Sequence, residues 1–123
     1  MLTIDTNILI YYTSGDRAIS DFLIRILEEK RTLFLPTIVI VEFLSLPKLL
    51  ESERKTFSIL FPQTSVVPLT YDIALLAAEI RKVYGLKLGD GVIAATVIIS
   101  KASLLTRNLR DFKKIPNLEV VRI

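Results

Sequence analysis

Short apolar runs alternate along the chain with stretches in which hydrophobic residues recur at helical spacing. The first run, residues 2–5, is aliphatic up to a terminal acid and predicts a short buried strand. Similar runs at 32–35, 65–68, 103–106 and 118–121 predict the other strands. Strands of this kind that alternate with helices are typical of an α/β domain. We therefore expect a central parallel sheet of about five short strands flanked by helices.

The intervening stretches predict the helices. After Asp16, which can cap a helix, apolar residues recur at positions 19, 22, 23, 26 and 27. A second amphipathic stretch starts at Thr70 or Asp72, places positions 73, 76, 80 and 83 on one face, and ends at Gly85. The other predicted helices cover 8–12, 36–46, 49–60 and 89–100, with a turn or short helix at 108–112. The helix over 89–100 is almost wholly apolar, which indicates burial on several sides.

This alternation is not interrupted by a linker, a repeat or a low-complexity stretch, so residues 1–123 are interpreted as one domain. In parallel sheets, ligands bind beyond the carboxyl ends of the strands. Asp5 ends the first predicted strand, and Asn108 and Asp111 follow the fourth. Glu42 lies in the helix after the second strand, and Asp90 begins the helix that leads to the fourth. The pattern therefore predicts a polar site at this edge.

The amino-acid composition limits which catalytic and metal-binding side chains are available. The chain has no Cys and no His, which excludes disulfides, thiolate and imidazole metal ligands, and a Ser-His-Asp triad. Acid–base or metal chemistry then falls chiefly to carboxylates. The formal charge of +3 is compatible with a nucleic-acid partner. No signal peptide is visible, and the longest uncharged apolar run, 91–100, is about half the length of a membrane span. We expect a soluble cytoplasmic protein.

Three of these acids could have an ordinary structural role and no part in a shared site. Asp5 and Asp90 occupy positions where helix caps are common, and Asp111 can form a surface ion pair with Arg107 or Lys114. Glu42 is the least ordinary, because nearly all of its neighbours on the helix are aliphatic, and Glu is rarely found in such surroundings unless it is paired.

A shared site gives these acids a common explanation. Converging carboxylates repel one another unless one is protonated or a divalent cation lies between them. Oxygen ligands favour Mg²⁺ or Mn²⁺, and such a site suits hydrolysis of a phosphodiester. The stretch 101–114 carries a cluster of bases that can hold a nucleic-acid backbone or simply face water: Lys101, Arg107, Arg110, Lys113 and Lys114.

The motifs together resemble a PIN domain, and by length and motif order the VapC-type toxins of toxin–antitoxin pairs. The resemblance covers the whole chain and rests on Asp5-Thr6-Asn7, Glu42, the run 89–96 that starts Gly89-Asp90-Gly91, and the run 105–108 with Asp111-Phe112. It implies a Mg²⁺- or Mn²⁺-dependent endoribonuclease. It also implies a homodimer, inhibited by a small antitoxin protein. Exposed apolar residues in 44–50 and 57–61 are candidates for the dimer face.

The resemblance also implies roles for individual residues. Asp5 and Asp90 would be the main metal ligands, and Glu42 would complete the set or hold the attacking water. The family's fourth polar position falls on Asn108 or Asp111, and the two remain alternatives. Hydrogen-bond donors to the acids are expected at Thr6, Asn7 and Thr106, and RNA-backbone contacts at Arg107, Arg110 and Lys113.

Two other interpretations of the chain stay open. The Asn at position 108 is compatible with a catalytically silent PIN-like module that binds RNA or a protein partner. Alternatively, the acids are only caps and ion pairs of an ordinary α/β domain. Divalent-ion stabilisation against heat separates these interpretations from a nuclease, because an ion that binds only the folded protein must stabilise it.

Overall fold

The computed structural model describes residues 1–123 and centres on the first strand, β1 (Leu2–Ile4). The other strands are β2 (Leu33–Pro36), β3 (Ser65–Val67), β4 (Ser103–Leu105) and β5 (Val120–Val121). All pairs are parallel, and the strand order is β3-β2-β1-β4-β5. The predicted α/β architecture with a five-stranded parallel sheet is confirmed. Because β1 is central, the acid that follows it lies in the middle of the carboxyl edge.

Seven helices connect and cover the strands. They are α1 (Thr6–Thr13), α2 (Arg17–Glu28), α3 (Thr37–Leu44), α4 (Glu51–Leu60), α5 (Tyr71–Tyr84), α6 (Leu88–Ser100) and α7 (Leu109–Phe112). The order of helices and strands agrees with the prediction, and the differences lie at their ends. One such end is the N-terminus of α4, which begins at Glu51 and not at residue 49. Its C-terminus at Leu60 agrees with the prediction and is followed by a 3₁₀ turn, Phe61–Gln63. None of the helices combines the length and the apolarity needed to cross a membrane.

Helix caps explain where several helices begin. Asp5 Oδ1 accepts a hydrogen bond from the N–H of Ile8 at the start of α1, and Asp16 Oδ1 accepts one from Ile19 at the start of α2. The start of α6 differs from the prediction. Lys87 precedes the first helical residue, so Asp90 lies within the first turn and is not the N-cap.

The core holds 26 buried hydrophobic residues on both faces of the sheet. Helix α6 is buried continuously from Gly91 to Val97, as its apolar sequence predicts, and packs against α5. One prediction about a face is wrong. Val83 is 62% exposed, although its spacing placed it with the core face of α5. In the stretch 57–61, Phe57 and Leu60 belong to the core, whereas Ile59 and Phe61 are the exposed apolar residues that remain candidates for a dimer face.

Candidate active site

The carboxyl edge of the sheet borders a cavity of about 440 Å³. The side chains of all the residues predicted to be catalytic line it: Asp5, Glu42, Asp90, Asn108 and Asp111. They come from the ends of β1 and β4 and from the helices α3, α6 and α7. Residues up to 106 positions apart in the sequence therefore meet in one space because parallel strands end at the same edge.

Asp5 is the most buried of these acids, at 3% exposure. Its Oδ1 caps α1 through the Ile8 N–H at 2.9 Å, and its Oδ2 accepts a hydrogen bond from the Thr106 hydroxyl at 2.5 Å. Burial raises the pKa of Asp5 even though these hydrogen bonds oppose the shift. The capping role considered from the sequence is therefore real, and it coexists with a place in the cavity. The cap fixes the orientation of the carboxylate.

Glu42 is fixed by a residue from α1 and by a glycine from α6. The Thr6 hydroxyl donates a 2.5 Å hydrogen bond to Glu42 Oε1. A Cβ placed on Gly89 would overlap Glu42 Oε2 and lie only 2.8 Å from its Cδ. The space beside Gly89 is filled by the Glu42 carboxylate. The space beside Gly91 is likewise filled by the stem of Arg81.

Asp90 shows that the acids form one electrostatic cluster. Its pKa is raised, first by burial and then by repulsion from Asp5, Glu42 and Asp111. A neighbouring cation, Lys87, opposes the shift. Repulsion from several acids means that Asp90 is ionised at a free-energy cost that a bound cation would remove.

Asn108 and Asp111 both reach the cavity, but in different ways. The Asn108 side-chain amide donates a 3.0 Å hydrogen bond to Asp111 Oδ2, and its backbone N–H donates to Thr106 Oγ1 at 2.9 Å. The hydrogen bond from Asn108 lowers the pKa of Asp111, which Lys114 also approaches at 3.9 Å. Asp111 thus carries the negative charge, and Asn108 holds it in place. The surface ion pair proposed for Asp111 exists with Lys114 but not with Arg107.

The donor set suits a hard divalent cation, because every candidate ligand offers oxygen. The other acids repel the Asp90 carboxylate, and the Glu42 carboxylate lies against Gly89. Both observations are compatible with an ion bound between these acids. No three of the acids are grouped tightly enough to form a complete metal site. That spacing is compatible with Mg²⁺, which usually keeps several waters and binds through one or two carboxylates.

The three residues expected to donate hydrogen bonds to the acids do not all do so through their side chains. Thr6 and Thr106 each donate a hydrogen bond to an acid. Asn7 is exposed and lines the cavity, and its backbone N–H favours the charged form of Asp5 and so lowers the Asp5 pKa. Of the residues expected to contact RNA, Arg110 and Lys113 are exposed. Arg107 is already paired, with its Nη1 2.8 Å from Asp16 Oδ2.

Sequence reasoning missed one charged residue of the cavity. Lys87 is the only cation that lines it, is exposed, and takes part in none of the protein's ion pairs. Lys87 lies outside the basic cluster at 101–114, so charge clustering does not predict it. The signal that could have found it is its place three residues before Asp90, at the start of the same helix.

Comparison with known proteins now agrees with the geometry. The PIN domain family matches residues 2–118 of the chain. The chain belongs to the PIN domain family. The match spans both Asp5 and Asp111, so the whole cavity described above lies within the PIN domain.

Relatives and solved structures align with almost the whole of this PIN domain. Ribonuclease VapC19 of Mycobacterium tuberculosis is 29% identical to it, over 97% of this chain and 98% of that protein. A toxin–antitoxin complex from Klebsiella pneumoniae contains a chain with 31% identity and a TM-score of 0.80, covering 98% of this chain and 96% of that one. VapBC2 from Rickettsia felis, bound to a DNA fragment from its promoter, gives a TM-score of 0.85 at 22% identity, over 99% of this chain and 98% of that chain.

Proposed function

We propose that this PIN domain is a metal-dependent endoribonuclease that hydrolyses RNA phosphodiester bonds and acts as the toxin of a toxin–antitoxin pair. The observation that carries the proposal is the convergence of four acids on one cavity at the carboxyl edge of the sheet. The relative named as a ribonuclease and the aligned toxin–antitoxin complexes support the same activity and the presence of an antitoxin partner.

The proposed roles follow from how each acid is held. Asp5 and Asp90, the buried and half-buried acids, would hold Mg²⁺ or Mn²⁺, which supplies positive charge at the phosphate and acidifies a water molecule. Glu42, fixed by Thr6, completes the ligand set or orients the attacking water. Asp111 supplies the fourth carboxylate.

The RNA backbone would be held by cations that lack a close acidic partner. Lys87 at the cavity and the exposed Lys113 fit this requirement. Arg110 is added to them because its side chain is 87% exposed and its ion pair with Asp111 is long, at 3.7 Å. Exposed apolar side chains on and beside α4, including Leu50 and Ile59, are candidates for contacts in a homodimer. We place the protein in the cytoplasm, where its RNA substrate and its antitoxin would be found.

The primary test is cleavage of single-stranded RNA by the purified protein with Mg²⁺, with Mn²⁺ and with a chelator. We expect cleavage with either ion, none with chelator, and a loss of at least about 100-fold in Asp5→Asn and in Asp90→Asn. Asp21→Asn, which changes an exposed acid on α2, is the matched control and should cleave like wild type. Wild-type cleavage rates in both site variants would contradict the proposal.

A thermal melt with increasing Mn²⁺ separates the nuclease from a silent RNA-binding module. The nuclease should gain stability from the ion, and Asp90→Asn should lose most of that gain. A wild-type protein that binds RNA, shows no ion-dependent stabilisation and cleaves nothing would favour the silent module instead.

A further inference from the structure

Arg107 joins two parts of the protein that are 91 residues apart in sequence. Its Nη1 and Nη2 donate to Asp16 Oδ2 at 2.8 Å and to Asp16 Oδ1 at 3.3 Å. Its guanidinium carbon lies 4.6 Å from the centre of the Tyr11 ring. Paired hydrogen bonds and a face contact with an aromatic ring are the geometry for which a guanidinium is best suited. We call these three residues the clasp.

The clasp lies beside the segment that completes the cavity. Thr106 donates to Asp5 Oδ2, and Asn108 donates both to Thr106 Oγ1 and to Asp111 Oδ2. Residues 106–108 therefore carry consecutive side chains that contact, in order, the first acid, the clasp and the fourth acid. A shift of this short segment would move both acids' hydrogen-bond partners together.

Helix α7, which carries Asp111, needs support from outside. It has only four residues, and no side chain caps its N-terminus. A helix this short is not stable by itself in water. Phe112 anchors its far end in the core at 0% exposure, but its near end follows directly from residues 106–108. Together with the Thr106 hydrogen bond to Asp5, the clasp ties this near end to α1 and to the start of α2.

We propose that the Arg107–Asp16–Tyr11 clasp positions residues 106–108, and through them Asp111 and the hydrogen bond to Asp5, and that Arg107 does not contact the RNA backbone. This role differs from the RNA contact expected for Arg107 from the basic cluster, and it rests on the proposed nuclease function. The Asp16 carboxylate offsets the charge of Arg107 at 2.8 Å, whereas Arg110 approaches Asp111 only to 3.7 Å and is far more exposed. Arg110 is therefore the better phosphate contact of the two.

Two conservative variants separate positioning from RNA contact. Arg107→Lys keeps the charge but cannot reproduce the paired hydrogen bonds or the ring contact. Asp16→Asn keeps a good helix cap for α2 but weakens the pairing with Arg107. Positioning predicts that each variant lowers kcat between about 10- and 100-fold at nearly unchanged KM, because misplaced catalytic groups cost rate rather than binding. An RNA-contacting Arg107 predicts near-normal kcat for both variants.

The double variant and the salt dependence complete the test. If the residues act as one unit, Arg107→Lys with Asp16→Asn is no slower than the slower single variant. Arg107→Ala should leave the salt dependence of RNA binding unchanged, whereas Arg110→Ala should reduce its slope by about 0.7, the value for one lost phosphate contact. A reduced slope in Arg107→Ala, or wild-type kcat in Arg107→Lys, overturns the proposal.

Different measurements would contradict the proposed role of the clasp and the proposed nuclease function. If wild type does not cleave RNA, the nuclease assignment fails, and the clasp is then judged by Mn²⁺ affinity in the absence of RNA. The clasp predicts weaker Mn²⁺ binding in Arg107→Lys and in Asp16→Asn, with melting temperatures without metal within a few degrees of wild type. Unchanged Mn²⁺ affinity in both variants would overturn it.

Discussion

Asp5 and Asp111 line the same cavity but are held in opposite ways. Asp5 is buried, has a hydrogen bond on each oxygen, and has a raised pKa because burial outweighs those bonds. Asp111 has a side chain that is 25% exposed, lies on a four-residue helix, and has a lowered pKa because Asn108 and nearby cations favour its charge. The cavity thus has a buried wall, centred on β1 and α1, and a more exposed wall on α7. Under the proposed nuclease function, we expect metal affinity to depend chiefly on the first wall and alignment of the substrate on the second.

The largest expected effect compares these two acids directly. Asp5→Asn should reduce cleavage by at least about 100-fold, whereas Asp111→Asn should reduce it by about 10-fold, because Asp111 is partly solvated and easier to replace by water. Single-turnover cleavage of one RNA with each variant measures the ratio. Equal losses of cleavage rate in the two variants would show that Asp5 and Asp111 contribute equally, which would contradict the comparison.

The next effect concerns Glu42, which depends on Gly89. Gly89→Ala introduces a methyl group that overlaps the Glu42 carboxylate, so Glu42 must move and cleavage should fall by about 10-fold or more. The control is the same change in a Glu42→Ala background, where no carboxylate is present to displace and no further loss is expected. Additive losses would mean that Gly89 acts through another contact.

A pair of threonine variants compares the Thr106 hydroxyl, which donates a hydrogen bond to Asp5, with the Thr3 hydroxyl, which has no hydrogen-bond partner. Thr106→Val removes a donor from Asp5, which should raise its pKa further and slow cleavage at neutral pH by about 10-fold. Thr3 Oγ1 is buried on β1 without a partner, so Thr3→Val should stabilise the fold by about 1 kcal/mol and leave cleavage unchanged. Denaturant unfolding and initial rates measure both. Destabilisation by Thr3→Val would indicate an undetected partner.

The smallest effect is on stability as a function of pH, without metal. For Asp90 the folded pKa is raised above 3.8, so its favourable contribution is present below pH 3.8 and is lost as pH rises through the folded value. For Asp111 the folded pKa is lowered, so its contribution is present above pH 3.8 and is lost as pH falls through the folded value. At pH 7 without metal, Asp90→Asn should therefore raise the melting temperature by a few degrees, and Asp111→Asn should lower it slightly. The opposite signs would contradict the two environments described here.

Much of the site was predictable because parallel strands end at one edge. Asp5 and Asp111 follow strands whose apolar runs are readable, and Glu42 is conspicuous among aliphatic neighbours. The arrangement of Asn108 and Asp111 was not predictable, because only the tertiary structure shows that both side chains reach the cavity and that they contact each other. The pairing of Arg107 with Asp16 was not predictable either, since a charge cluster does not show which of its members is already neutralised.

The sequence by itself determined the α/β alternation, the oxygen-only chemistry and the acids available to perform it, since these follow from local periodicity and from the absence of His and Cys. Only the tertiary structure decided that Glu42 rests on Gly89, that Lys87 borders the cavity, and that Arg107 belongs to the clasp. Those relations join residues far apart in the chain. They depend on distances of a few ångströms that hydrophobic patterning does not encode.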